Sequence, residues 1–359
     1  MFLKGGCSMK DIIAFRGEAI QLERPRLVQE KPAAYIEQFD REIESFMVKL
    51  KDFEVRCSKP EANREKLLQE ITVLTDSMVE TCAKLEREIN GPVDVKKAQV
   101  YFREKTHPIL SKSHFIDRIR TWPNGQQGDY MTLELAYKNM PMSEGIGYYL
   151  DIYALSNEIT VGVRNRIVKM RELLKEELLR RKNLKVLDVA CGSCREVFEL
   201  ASEIKSSGAK FTCMDLDPNA LDFALDRFAF AGLSSDHADV VKYNALRMFD
   251  NEMAQLEFGT QDVIYSVGFF DYLPDDFLVK MLNSLYAMLN PGGKLIMAFK
   301  DVSRYRPEIF HWLVDWDGFL QRRESDFERI LRNAAIPVSS VTMSRIDSGP
   351  IIFYTATQQ

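Results

Sequence analysis

The chain has 359 residues, 46% of them hydrophobic, and a formal net charge of -5. That balance argues against a nucleic-acid protein built on a broad basic face, and no apolar run approaches the roughly 20 residues of a membrane span. The six cysteines, at 7, 57, 82, 191, 194 and 213, show no disulfide spacing, and Met1–Cys7 lacks the apolar core and cleavage site of a secretory leader. A reducing, cytoplasmic setting is expected.

Residues 1–30 are mixed and charged, and read as a short pairing segment or a poorly ordered lead-in. From Ala33 to Val55 the apolar positions Ile36, Phe39, Ile43, Phe46, Met47 and Leu50 recur at helical spacing. Ser58-Lys-Pro60 breaks that run. A second amphipathic stretch follows from Glu61 to Ile89 and stops at Asn90-Gly91-Pro92. The two predict a helical hairpin, region 1–95, read first as a packing or homo-oligomerisation module. Residues 96–182 stay mostly helical and form a lid or substrate region, with loops at Thr121–Gly125 and Met140–Gly145.

From residue 183 to 359 strands and helices alternate. Strands are predicted at 185–189, 210–215, 238–243, 262–267, 293–299, 338–343 and 350–356, with a short link at Ser344–Gly349 that can join an antiparallel pair. Alternation of this kind gives an α/β fold: a seven-stranded, mostly parallel sheet with helices on both faces.

The most informative stretch is Leu187–Glu196, an apolar strand running into an acidic, Gly-containing turn and then a helix. Such a turn presents backbone N–H groups and a helix N-terminus to a ligand. A second strand ends in Asp215-Leu216-Asp217, where a carboxylate can hold a ribose diol. The turn has one glycine, Gly192, with Asp188 ahead of it. That fits poorly with a dinucleotide's pyrophosphate, which wants three glycines and no nearby acid. It fits better with S-adenosylmethionine: Asp188 attracts the cationic end, Gly192 admits the backbone, and Asp215 takes the ribose hydroxyls. Asp188 could instead bond the loop's own N–H groups, and Asp217 could simply cap the helix starting at Pro218.

Val186-Leu-Asp-Val-Ala190-Cys-Gly192 resembles the first motif of class I S-adenosylmethionine-dependent methyltransferases, and Met214–Pro218 resembles their second. Asn244-Ala245 falls where such enzymes bracket the adenine. Asp262–Pro274, with Ser266, Val267 and Gly268, resembles the fourth motif and its loop. Leu289–Leu295 resembles the Pro-Gly-Gly turn before the fifth strand. The resemblance implies the Rossmann-like form of the sheet. It departs from the pattern at Cys194, which replaces the usual third glycine. The flanks, over roughly 100–359, are similar to bacterial methyltransferases that make 3-hydroxy fatty acid methyl esters as quorum-sensing signals. The residues that carry this are Gly128-Asp-Tyr130, Arg164-Asn-Arg166, the Tyr-Ser-x-Gly-x-x-Asp271-Tyr272 loop and the late Trp312/Trp316 helix.

The candidate catalytic residues are Tyr130, Asp271 and His311. Tyr130 is a lid residue or a packed aromatic. Asp271 faces the acceptor or caps the next helix. His311 is a weak base candidate. Arg164 is expected to hold the cofactor's carboxylate. Tyr149, Phe269, Tyr272, Arg304 and Trp312 are expected near a small-molecule acceptor, with Trp312 and Trp316 reading first as a core stripe. Cys191 and Cys194 supply only two ligands, and His107, His114, His237 and His311 are scattered, so no metal is expected. The acceptor stays open between a carboxylate, whose O-methylation needs no base, and an amine of natural-product biosynthesis, which needs one. A third reading is a cofactor-binding module that acts through a protein partner.

Overall fold

The computed structural model describes residues 34–359 apart from 60, 62, 90, 347 and 348; the reading of 1–30 lies outside the described residues. Helix α1 (Ala34–Cys57) buries Phe39, Ile43, Phe46, Leu50 and Phe53, a stripe at intervals of three and four. Helix α2 (Arg64–Glu88) starts where Asn63 Oδ1 accepts the Lys66 N–H at 3.1 Å. Arg56, near the end of α1, pairs with Glu70 near the start of α2. Five helices follow: α3 (Pro92–Leu110), α4 (His114–Thr121), α5 (Tyr130–Lys138), α6 (Ile146–Ser156) and α7 (Glu158–Arg180). The buried core of α1 and α2 is continuous with that of α3, α4, α6 and the segment 305–319.

The sheet comprises β1 (Lys185–Val189), β2 (Lys210–Asp215), β3 (Ala238–Lys242), β4 (Gln261–Ser266), β5 (Leu289–Lys300), β6 (Val341–Arg345) and β7 (Ile351–Thr357). The strand order is β3-β2-β1-β4-β5-β7-β6. The pairs from β3 to β5 are parallel, and β7 runs antiparallel to both its neighbours. The intervening helices are α8 (Arg195–Glu199), α9 (Ala201–Ser207), α10 (Pro218–Ala231), α11 (Asn251–Phe258), α12 (Asp275–Ala287) and α13 (Glu324–Asn333). Two apolar clusters, one holding Leu187 and Val189 and the other Val186, cover opposite faces of β1. The expected seven-stranded, Rossmann-like α/β sheet with a helical N-terminal region is borne out.

Two strand starts differ from the sequence reading by more than one residue. Strand β6 starts at Val341 because Val338–Ser340 forms a single 3-10 turn after Pro337. Strand β5 starts early, at Leu289, so Pro291-Gly-Gly293 lies within its span. Strand order reverses between β1 and β4, and the crevice beyond their C-terminal ends is where open α/β sheets bind ligands. Among the described residues no helix is long and apolar enough to cross a membrane.

Candidate functional site

After β1 the backbone turns sharply through three left-handed residues, Ala190 (φ 57°), Gly192 (φ 55°) and Cys194 (φ 47°). The Cys191 N–H donates to the Met214 carbonyl at 2.9 Å, which ties the loop to the end of β2. Asp215 holds it from the side: one carboxylate oxygen accepts the Gly192 N–H at 2.8 Å, the other the Asp217 N–H at 2.9 Å. Burial pushes the Asp215 carboxyl up, against the pull of these N–H groups. Leu216 is half-buried beside it. Asp217 accepts the Asn219 N–H and caps α10, its bland reading. The Ser266 hydroxyl donates to the Val189 carbonyl at 2.8 Å and locks the tip of β4 against the tip of β1. Asn244 Oδ1 accepts the Leu246 N–H at 3.0 Å, capping the 3-10 turn that begins at the buried Ala245.

Asp188 is fully buried at the end of β1. Its register partners are Cys213 on β2 and Tyr265 on β4. Among the described residues neither of its oxygens makes a hydrogen bond to the loop's N–H groups, and its neighbours are the Glu196 and Tyr265 side chains. Burial and the adjacent Glu196 push its carboxyl well up. Glu196 is itself raised by burial, and it accepts the Tyr265 hydroxyl at 2.9 Å.

Helix α5 closes over the loop. Asp129 caps it and accepts Arg118 at 2.7 Å. Tyr130 then stands over the first loop: a Cβ on Gly192 would lie 4.0 Å from Tyr130 Cβ. The Tyr130 ring packs against Phe223 at 5.3 Å between centroids. One turn on, buried Glu134 accepts Ser193 at 2.7 Å, Arg195 at 2.9 Å and Arg227 at 2.5 Å. Burial alone would raise its carboxyl, but Arg227, Ser193 and Arg195 hold it below the usual range.

The two arginines of the Arg-Asn-Arg run part company. Arg164 donates to the Leu155 carbonyl at 2.8 Å and the Ala136 carbonyl at 3.3 Å, in the last turns of α6 and α5. Arg166, only 3% exposed, lays its guanidinium on Gly268: a Cβ there would meet Nη1 at 2.9 Å. Among the described residues its Nε has no hydrogen-bond partner. Val267 and Gly268 are half-buried, and Phe269 packs into the core.

Beyond that loop Asp271 is fully buried. It accepts the Lys300 ammonium at 2.6 Å and the Lys300 N–H at 3.2 Å. It caps no helix, since α12 begins after Pro274. Lys300 ends β5 only 3% exposed, with its ammonium 4.6 Å from the Phe319 ring centre and 5.7 Å from that of Tyr272. Burial lowers the Lys300 pKa against the pull of Asp271, and Arg166 lowers it further. The Tyr272 hydroxyl accepts Trp316 Nε1 at 2.9 Å. Trp316 also walls a mainly apolar cleft that includes Ile119, Leu133, Val163 and Phe310.

Other expected acceptor residues lie among the helices. Trp312 is fully buried against Phe39 and Phe102, with Nε1 donating to Glu86 at 2.5 Å. That is its core-stripe reading. His311 Nδ1 lies 4.0 Å from Glu86, and burial lowers its pKa. Tyr149 packs edge-on against Phe53 and Tyr148. Arg304 is exposed. The sequence reading passed over Arg166, Glu134 and Lys300. Lys300 had a signal, a lone cation closing the apolar run Leu295–Phe299.

Residues 187–295 match a family model described as a methyltransferase domain. A comparison with curated proteins gave no match. Among solved structures, a protein of Bordetella parapertussis described as a possible exported protein is similar at 17% identity and TM-score 0.55, over 79% of this chain and 95% of that one. The shared fold therefore reaches beyond the sheet into the helical region. Magnesium protoporphyrin IX methyltransferase from Synechocystis, solved with bound S-adenosylmethionine, aligns at 15% identity and TM-score 0.41, over 56% and 82% of the two chains. An S-adenosylmethionine-dependent methyltransferase from Clostridium acetobutylicum aligns at 14% and 0.37, over 52% and 90%.

Proposed function

We propose that the chain is a cytoplasmic S-adenosylmethionine-dependent methyltransferase that esterifies the carboxylate of an apolar acid, of the 3-hydroxy fatty acid kind. The observation that carries the cofactor reading is Asp215 gripping the Gly192 loop at the β1/β4 crevice. Gly192 admits a ligand because it has no Cβ and a φ of 55° that favours glycine. Asp215 offers further lone pairs to a ribose diol. The unpartnered Arg166 Nε on Gly268 suits the cofactor's carboxylate. S-adenosylmethionine supplies a methyl group already activated on a sulfonium, so the protein's task is alignment and exclusion of water.

Lys300 supports the carboxylate acceptor. It is a buried cation at the C-terminal end of β5, framed by Phe319 and Tyr272 and linked through Trp316 to an apolar cleft. A cation orients a carboxylate, and an apolar wall suits an acyl chain. A carboxylate is ionised at neutral pH and needs no general base. The test is incubation with methyl-labelled cofactor and panels of fatty acids, amines and phenols. Transfer to acids of graded chain length is expected; no transfer to any carboxylate overturns the ester reading.

A further inference from the structure

The first loop carries two thiols that the methyl-transfer reading does not use. Cys194 is fully buried and Cys191 half-buried. Along the sequence they offer only a pair of ligands, but the fold adds a third from β1. The donor atoms of Asp188, Cys191 and Cys194 all lie within 4.8 Å of one another. Zinc–sulfur bonds of about 2.3 Å and zinc–oxygen bonds of about 2.0–2.2 Å put neighbouring ligands of a tetrahedral ion roughly 3.5–4 Å apart, so the triad is close to that size.

A second observation points to a ligand. Asp188 is fully buried, and among the described residues neither oxygen makes a hydrogen bond of standard geometry, although it lies against Glu196 and Tyr265. A buried carboxyl crowded by a second acid, Glu196, is costly to ionise, and a bound cation is one of the few groups that would favour its charged form. Cys213, the register partner of Asp188, is buried in the same cluster as Cys194, but its sulfur falls outside the 4.8 Å group.

We propose that Asp188, Cys191 and Cys194 bind a thiophilic divalent cation of the zinc class. Each ligating thiol, and the carboxyl where it is protonated, releases one proton to solvent, so affinity rises with pH. No redox step is involved. The ion would cross-link the end of β1 to the loop that follows it, and so fix the loop that Asp215 holds.

The test uses the full chain, stripped with a chelator and titrated with Co2+. One equivalent is expected to raise a thiolate-to-cobalt charge-transfer band that one equivalent of Zn2+ abolishes. Cys194→Ser is expected to remove the band; Cys82→Ser, at a buried thiol of α2, leaves it intact. In the unmutated protein Zn2+ is expected to protect Cys191 and Cys194 from alkylation, read by mass spectrometry. That readout stands even if a serine variant fails to fold. No band with no protection, or a band retained in both Cys191→Ser and Cys194→Ser, overturns the proposal. None of these readouts depends on methyl transfer.

Discussion

Replacing Arg166 with Met removes a buried guanidinium while keeping most of its apolar stem. The guanidinium lies on Gly268 with an unpartnered Nε. A hydrogen bond to a charged group contributes about 1.5–3 kcal/mol. At about 1.4 kcal/mol per decade, Arg166→Met should weaken binding of the demethylated cofactor roughly 10- to 150-fold. Arg164→Met is the control. Its donors go to the Leu155 and Ala136 carbonyls, so it should cost about 1–2 kcal/mol of stability with little change in affinity. Isothermal titration calorimetry gives the affinities, and urea unfolding gives the stabilities. If Arg164→Met weakens binding and Arg166→Met does not, the assignment of the carboxylate contact to Arg166 is wrong.

Three further outcomes are expected. Lys300→Met leaves the Asp271 carboxylate buried and unpaired, which should cost about 3–5 kcal/mol in urea unfolding; Lys300→Met with Asp271→Leu should recover much of that loss, and no recovery would count against the pair. Trp312→Ala should destabilise by about 3–5 kcal/mol yet leave cofactor affinity within twofold, because Trp312 packs against α1 and α3; a selective loss of affinity would contradict this. Glu134 is held below the usual carboxylate range, so its stabilising contribution is full above the ordinary Glu value of about 4.3 and is lost as pH falls through the lower folded value. Glu134→Gln should lower Tm at pH 7 and narrow the gap from wild type as pH falls below about 4; a gap that widens in acid would refute it.

Elements governed by local chemistry were readable along the chain. Strands β1 and β2 fall on their predicted residues because apolar runs meet turn-forming acids and glycines there. The amphipathic stripes of α1 and α2 likewise announce their buried faces. Side-chain partners across the sheet were not readable. Arg164 and Arg166 are alike in sequence, and only the packing of α5 and α6 decides which one reaches Gly268. Asp271 reads as an acceptor-facing acid or a helix cap until β5 delivers Lys300 beside it. Asp188, Cys191 and Cys194 become a triad only when the loop folds back over β1. Trp312 and Trp316 read first as one core stripe, but they diverge: Trp312 turns to the N-terminal helices and Trp316 to Tyr272.

The most direct test of the central claim is calorimetric titration of S-adenosylhomocysteine into the wild-type chain and into Asp215→Ala. Loss of the side chain that holds the Gly192 N–H, and that we propose holds the ribose, should remove bonds of about 1.5–3 kcal/mol. One site per wild-type chain, weakened at least tenfold by the substitution, is the predicted result. No binding to the wild type, or equal binding to both, would contradict the account.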